Sequence, residues 1–200
     1  MLFDAIHAAR DAGDTIDAML FEGETLLECD ASLLEYQQVT FSRCRFEDCN
    51  FYKASFFQAT FSDCDLSNCN FSETFFKECH FIRCKAEGAN FSHSVFKKTE
   101  FLESSFRYAN CGLSLFEDVK ITGGSFREAY LSETKLKKVR FAEVDFSGAD
   151  FFKTPLKGID LSQCIIDGIG VSDSRYELIG VKIGVEQSVV LAKMLGAVIV

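Results

Sequence analysis

The chain has 200 residues and a formal net charge of −9, and 22 phenylalanines and nine cysteines dominate its composition. No apolar run approaches the roughly 20 residues of a membrane span, and the first residues lack the basic start and apolar middle of a secretory signal, so we expect a cytoplasmic protein. Residues 1–40 carry nine acids and one base, whereas residues 41–200 carry 21 acids and 20 bases, which argues against a basic track for nucleic acid.

Residues 1–15 are predicted to form an N-terminal cap. Leu2, Phe3, Ile6 and Ala9 would share one face of a short helix, and Gly13 is a suitable stop for that helix. We expect this segment to cover the apolar interior of the repeats that follow, because a terminal repeat otherwise exposes its interior to water.

Residues 16–183 repeat every five positions. A bulky apolar residue, the centre, returns from Ile16 to Val181 without insertion or deletion, and 18 of the 22 phenylalanines lie on this phase. A helix repeats near 3.6 residues and a strand repeats at 2, so neither explains the spacing. We therefore predict a four-sided coil that points one centre inwards from each side, with roughly eight coils at about 4.8 Å each. The predicted buried spine includes Phe41, Phe46, Phe51, Phe56, Phe61, Phe71, Phe76 and Phe81.

The position two before each centre is mostly small and is predicted to share the interior. Eight of the nine cysteines occupy it, and Cys111 is a centre. Cys44, Cys64 and Cys84 would stack with parallel Cβ vectors, which is poor geometry for a disulfide, and no histidine accompanies them. We predict reduced thiols packed in the core, with a metal or disulfide as the alternative.

Outward residues form columns, because one coil spans 20 residues. Asn50, Asn70, Asn90 and Asn110 make an amide column, while other outward positions align apolar residues. Aligned apolar residues indicate either a wall that another segment covers or a docking surface for a partner. The candidate partner-binding residues are Phe57, Phe75, Val95, Leu115, Ile82 and Leu102.

Residues 184–200 are predicted to form a C-terminal capping helix and a dimerisation tail. Val185, Val189, Ala192 and Leu195 recur at helical spacing, and Gly196 is a suitable stop. A two-fold end-to-end dimer would bury so apolar an end. The predicted dimer-interface residues are Val185, Val189, Leu191, Met194, Leu195, Val198 and Ile199.

The units at residues 69–73 (CNFSE), 89–93 (ANFSH) and 149–153 (ADFFK) resemble the A(D/N)LXX unit of the pentapeptide repeat family. This resemblance implies an all-β solenoid, namely a right-handed quadrilateral β-helix. The leucine–glycine pair Leu195–Gly196 before a short apolar terminus is similar to the tails of the Qnr, MfpA and microcin B17 immunity subgroup. In that subgroup the helix closes the rod and forms a homodimer.

No catalytic chemistry is indicated by the sequence. A filled rod offers no cleft for convergent polar groups, and we find no nucleophile elbow, phosphate-binding loop or zinc pattern. His7, His80 and His93 fall in the cap and on different sides of the rod. We predict a non-enzymatic protein without cofactor, metal or small-molecule substrate, and without direct contact to nucleic acid or membrane.

Two functions remain open. The resemblance implies that the rod binds a type II topoisomerase, DNA gyrase or topoisomerase IV, and protects it from quinolone-like drugs or a peptide toxin by DNA-like shape or drug displacement. The unbroken register leaves no room for the projecting loops of the Qnr branch, and the near-neutral body argues against strong charge mimicry. The alternative is a general interaction scaffold or adaptor that binds an unrelated partner through its aligned apolar residues.

Overall fold

The computed structural model describes residues 1–199, which form a β-solenoid with one α-helix at each end. Helix α1 spans Leu2–Ala12, helix α2 spans Val185–Met194, and a short 3-10 turn covers Tyr176–Leu178. The predicted fold class, with an N-terminal cap and a C-terminal helix, is confirmed.

Short parallel strands form the first two sides of the rod, each as a sheet of seven strands. Side 1 contains β1 Ile16–Asp17, β4 Glu35–Gln37, β7 Ser55–Phe57, β9 Phe75–Lys77, β11 Val95–Lys97, β13 Leu115–Glu117 and β15 Lys135–Lys137. Side 2 contains β2 Leu20–Glu22, β5 Thr40–Ser42, β8 Thr60–Ser62, β10 His80–Ile82, β12 Glu100–Leu102, β14 Lys120–Thr122 and β16 Arg140–Ala142.

Sides 3 and 4 are joined mainly by isolated bridges. Side 3 begins with the paired strands β3 Thr25–Leu27 and β6 Arg45–Glu47, and single bridges then continue to Ile165. On side 4 the bridges run from Asp30 to Gly170 at the same spacing of 20 residues. Regular strand pairing therefore covers seven coils, slightly fewer than the eight that the sequence predicts.

The centres form a continuous buried spine. Phe41, Phe61, Phe81 and Phe101 pair in register on side 2, and successive rings in this stack lie 4.8–4.9 Å apart. All eight spine phenylalanines named above are at most 2% exposed. A spacing of five residues thus brings one aromatic ring per side to the axis, and 20 residues stack it on its equivalent.

Each corner is turned by the residue two after the centre. Its backbone is left-handed at nearly every coil, as at Asp63 (φ 55°) and Lys98 (φ 49°). A left-handed residue reverses the chain direction in one step, which lets a straight three-residue side follow each corner. Non-glycine residues accept this conformation at some cost, so the stacking must compensate for it at each corner.

The small interior residues form a second ladder, between a side-chain donor and a backbone carbonyl. The Cys64 thiol donates to the Phe41 carbonyl (3.3 Å), and the Thr74 hydroxyl donates to the Phe51 carbonyl (2.9 Å), in both cases 23 residues earlier. All nine cysteines are buried free thiols. Burial raises the pKa of the Cys111 thiol to about 12, so little thiolate is present at neutral pH.

Helix α1 covers the first coil with Leu2, Ile6 and Ala9, which are buried. Phe3 departs from the prediction, because it is 50% exposed and packs on His7 with ring centroids 4.2 Å apart. It follows Leu2 directly, so the helix turns it about 100° away from the buried face. Gly13 ends the helix as predicted, with a left-handed backbone and its N–H bonded to the Ala9 carbonyl.

The regular register ends near Gly170, earlier than the sequence predicts. Lys182 pairs with Asp160, a spacing of 22 residues instead of 20. Tyr176, predicted to be a centre, is 39% exposed, and its neighbour Glu177 is fully buried. The 3-10 turn accommodates two extra residues here, so the five-residue phase continues in the sequence after the structure has left it.

Candidate partner-binding surfaces

An apolar stripe runs along side 1 where the sequence predicts it. Phe75, Val95 and Leu115 are neighbours on β9, β11 and β13, and each is half-buried. Phe57 joins them through its ring, whose centroid lies 5.6 Å from that of Phe75. We call these four residues the apolar stripe.

Leu113 extends the stripe and was missed by the sequence reasoning. It occupies the corner between sides 4 and 1, two residues before Leu115, and it is 52% exposed. Corner positions are usually polar here, so an exposed leucine at that phase was the available signal.

Ile82 and Leu102 pair on side 2, as predicted, but they do not join the stripe. Seven residues separate Phe75 from Ile82, and the chain between them turns the corner between sides 1 and 2. Charged columns, which include Lys97 and Glu100, lie on that path. The six candidate residues thus form two separate apolar surfaces.

Ion pairs neutralise the columns beside the stripe. Lys97 lies 3.2 Å from Glu117, and Lys98 lies 3.3 Å from Glu78. The hydrogen bond from Lys97 holds the pKa of the Glu117 carboxyl below its usual range. Such exposed pairs contribute only about 0–1 kcal/mol each, but they leave the middle of side 1 without strong net charge.

The amide column on side 4 is a structural ladder. Asn70 donates to the Asn50 side-chain oxygen (2.9 Å), and Asn90 donates to the Asn70 oxygen (3.3 Å). The Asn70 oxygen also accepts from the backbone N–H of Ser72 (3.1 Å). These amides are satisfied within the rod and have little capacity left for a ligand.

Helix α2 divides the predicted dimer-interface residues into two groups. Leu191 and Met194 pack against the core of the rod, so they serve the capping role. The other five are exposed, namely Val185, Val189, Leu195, Val198 and Ile199. The helix ends at Met194 and Gly196 has a left-handed backbone (φ 86°), in keeping with its predicted role as a stop.

The three histidines lie apart from one another. His7 is on α1, His80 is on β10, 3.9 Å from Glu100, and His93 has a left-handed backbone at the corner after side 4. This arrangement offers no convergent acid–base pair among them. Among residues 1–199, no helix has both the length and the apolar composition that crossing a membrane requires.

Comparison with known proteins identifies the repeat. The family model described as "Pentapeptide repeat region" matches residues 34–111 and 54–130, and the model described as "Pentapeptide repeats (8 copies)" matches residues 125–165. Together these matches span residues 34–165, more than half of the chain. No curated protein matches the sequence.

Two solved structures share the fold along nearly the whole chain. A trypsin-treated variant of QnrB1, a plasmid-mediated fluoroquinolone resistance protein, has a TM-score of 0.54 at 21% identity, covering 93% of this chain and 97% of that chain. A second trypsin-treated QnrB1 variant has a TM-score of 0.50 at 20% identity, covering 93% and 98% of the two chains. At these identities the similarity concerns the fold.

Proposed function

Because this chain belongs to the pentapeptide repeat family, we propose that it is a non-enzymatic binding rod that engages a type II topoisomerase, DNA gyrase above all. In this proposal the rod protects the enzyme from quinolone-like drugs or a peptide toxin. The observation that carries the proposal is the whole-length likeness to QnrB1, a fluoroquinolone resistance protein, which includes both ends of the rod.

The shape of the rod supports a mechanism based on form instead of charge. Seven paired coils at about 4.8 Å give a rod roughly 30–40 Å long, with flat sides and filled interior. Acids and bases nearly balance in residues 41–200, and ion pairs link several of them across coils. We therefore favour steric occupation of a DNA-like site or displacement of the drug over mimicry of the phosphate charge.

A supercoiling assay tests this function. Purified protein at micromolar concentration should either relieve ciprofloxacin inhibition of DNA gyrase or inhibit supercoiling itself, because a rod bound at the DNA gate competes with drug or DNA. The same titration on topoisomerase IV should show which enzyme is preferred. Absence of any effect on both enzymes would contradict the proposal.

The apolar stripe favours a second candidate function, a scaffold or adaptor for an unrelated protein. Four aligned apolar residues on an otherwise polar side are unusual for a solvated surface, since apolar patches often mark binding sites. In this case the partner would dock across β9, β11 and β13.

Replacing Phe75 by glutamate tests whether the stripe binds a partner. The side chain is half-buried and points outwards, so Phe75→Glu should keep the fold while weakening partner affinity by about tenfold or more, as expected for a central aromatic contact. Phe152→Glu is the matched control, because Phe152 is an exposed outward aromatic on side 4. Wild-type affinity for gyrase in Phe75→Glu would exclude the stripe from that interface.

A further inference from the structure

The rod opens on two of its sides near its C-terminal end. At lower coils the N–H groups at equivalent corners are bonded to the next coil, as from Lys98 to the Glu117 carbonyl and from Asp118 to the Lys137 carbonyl, both 2.9 Å. Lys138, the next residue in this column, makes no such bond. Across residues 1–199, no backbone hydrogen bond joins 135–143 to 155–163.

Sides 3 and 4 stay closed at the same height. Glu133 donates to the Phe152 carbonyl and Phe146 donates to the Ile165 carbonyl, each at 2.8 Å. The last coil is therefore hinged along sides 3 and 4 and splayed from sides 1 and 2, which makes a wedge-shaped gap.

The sole proline explains where the gap begins. Pro155 occupies the side 1 position whose N–H, in lower coils, donates to the preceding coil, as Lys135 does to the Ser114 carbonyl (2.9 Å). Proline has no N–H to donate, so this link cannot form. Beyond it, residues 156–161 bond instead to the shifted segment 177–182.

The gap leaves a free sheet edge and half-exposed core. Strands β15 and β16 are the terminal strands of their sheets, and their centres Leu136 and Phe141 are half-buried, unlike the fully buried Phe81 or Phe101 below. An opening of ≈ 450 Å³ lies against β16, within the size range of binding sites for small ligands or short peptide segments. Free sheet edges of this kind pair readily with another strand.

Five bases surround the gap without an acidic partner. Within residues 1–199, none of them has a carboxylate within 4.0 Å, whereas Lys97, Lys98 and Lys120 in lower coils are each paired. The unpaired bases are Lys135, Lys137, Lys138, Arg140 and Lys157. Asp160 is an acid in the lining of the opening, so the rim is strongly basic.

We propose that the free edge of β16 binds an extended acidic segment of a partner protein by strand addition. The backbone of the segment would accept from the free N–H groups of Phe141 and Glu143, as carbonyls of the next coil do elsewhere in the rod. Alternate side chains would face Phe141 in the gap, while carboxylates would face Lys138 and Arg140 on the rim. This site is independent of the proposed topoisomerase function.

A short synthetic peptide tests the proposal on the full-length protein. The probe is a fluorescein-labelled hexapeptide of alternating valine and glutamate, measured by fluorescence anisotropy. We expect saturable binding that the charge-reversal variant Lys138→Glu/Arg140→Glu weakens by about tenfold or more, since two charge contacts are reversed. Lys77→Glu, on the same side three coils lower, is the matched control and should bind like the wild type.

Backbone pairing is tested separately from charge. An N-methylated version of the peptide, which keeps its carboxylates but cannot donate its N–H groups, should bind about tenfold weaker or less. Amide exchange measured by NMR should be fast at Phe141 and Glu143 in the free protein and slowed by the unmodified peptide.

Three results would overturn the proposal. Equal binding of the N-methylated peptide, or binding without slowed exchange at Phe141 and Glu143, would leave only electrostatic attraction. Displacement of the peptide by an equally charged oligothymidine with the same affinity would assign the rim to polyanions in general. Exchange already slow in the free protein would show that the chain itself, or a second copy, closes the edge.

Discussion

Each centre phenylalanine contributes by filling the axis and by stacking on its equivalents one coil away. Phe81 is fully buried, with Phe61 and Phe101 stacked at 4.8 and 4.9 Å on either side of its ring. Such aromatic pairs add about 0.5–1.5 kcal/mol beyond the area they bury. Removal of one ring therefore leaves a cavity that stacked neighbours on both sides cannot easily fill.

Phe81→Ala is expected to lower the free energy of unfolding by about 3–5 kcal/mol, the usual range for a buried phenylalanine. Urea denaturation followed by circular dichroism measures the loss. Phe57→Ala, at an outward and half-buried position, is the control and should cost clearly less. A loss of under about 1 kcal/mol in Phe81→Ala would contradict the buried spine.

Glu177 is the one carboxylate that lies fully buried in this rod, where it closes the last coil. Burial alone would raise the pKa of this carboxyl, but the hydrogen bonds that it accepts hold its pKa below the ordinary value. The donors are the Lys153 N–H (2.8 Å), the Ser172 N–H (3.2 Å) and the Ser172 hydroxyl (2.9 Å). The charged form is therefore the one that the fold stabilises.

Glu177→Gln should destabilise the protein by about 1–3 kcal/mol at pH 7, because three donors lose a charged acceptor. A carboxyl with a depressed folded pKa adds stability above its unfolded pKa of about 4.3 and loses it as the pH falls through the folded value. The gap between wild type and Glu177→Gln should consequently narrow below about pH 4 in urea titrations. Glu143→Gln, on an exposed corner, should show no such narrowing.

At the scale of elements, helix α2 continues the donor ladder of the rod with a side chain from outside the repeat. The Gln187 amide donates to the Cys164 carbonyl (2.9 Å), again 23 residues earlier, as Cys64 and Thr74 do within the coils. Its oxygen accepts from the Gly184 N–H (3.0 Å) at the start of the helix. One glutamine thus ties the cap to the coil below it.

Gln187→Ala should detach this end of the helix and cost about 1–3 kcal/mol, the penalty of a buried carbonyl left without a donor. Hydrogen exchange by mass spectrometry should show faster exchange in residues 185–194 than in the repeats. Glu186→Ala, exposed on the same turn, serves as the control. Unchanged exchange in Gln187→Ala would mean that apolar packing of Leu191 and Met194 holds the helix alone.

At the scale of the whole molecule, the exposed apolar end of α2 decides the assembly. Val185, Val189 and Leu195 lie on surface that the rod does not cover, and Leu195 is 71% exposed. A second copy related by a two-fold axis would bury this surface, and that symmetry is the commonest in homo-oligomers. The dimer stays a prediction from the sequence and from the exposure of these side chains.

Leu195→Asp is expected to convert a dimer of the wild-type protein to monomers, since a charge would have to enter an apolar interface without a partner. Light scattering coupled to size exclusion measures the mass directly. Lys193→Asp, one turn earlier and already exposed, should leave the mass unchanged. Wild-type mass in Leu195→Asp would remove this end from the interface.

The sequence by itself determined the spine, the four-sided coil, the columns and both end helices. A period of five residues is covalent and local, so it places Phe41, Phe61 and Phe81 on one line whatever the rest of the chain does. The apolar stripe follows from the same arithmetic. The separation of Ile82 and Leu102 from that stripe does not, because it depends on which corner lies between them.

Tertiary structure alone decided how the coils join at their ends. Pro155 reads as a harmless outward residue in the sequence, yet it opens the rod because the hydrogen bond that it lacks would reach a coil 20 residues away. The shift that buries Glu177 and exposes Tyr176 likewise depends on how residues 172–182 settle on an earlier coil. Side-chain periodicity specifies the interior, whereas backbone pairing between distant coils specifies where the edges remain free.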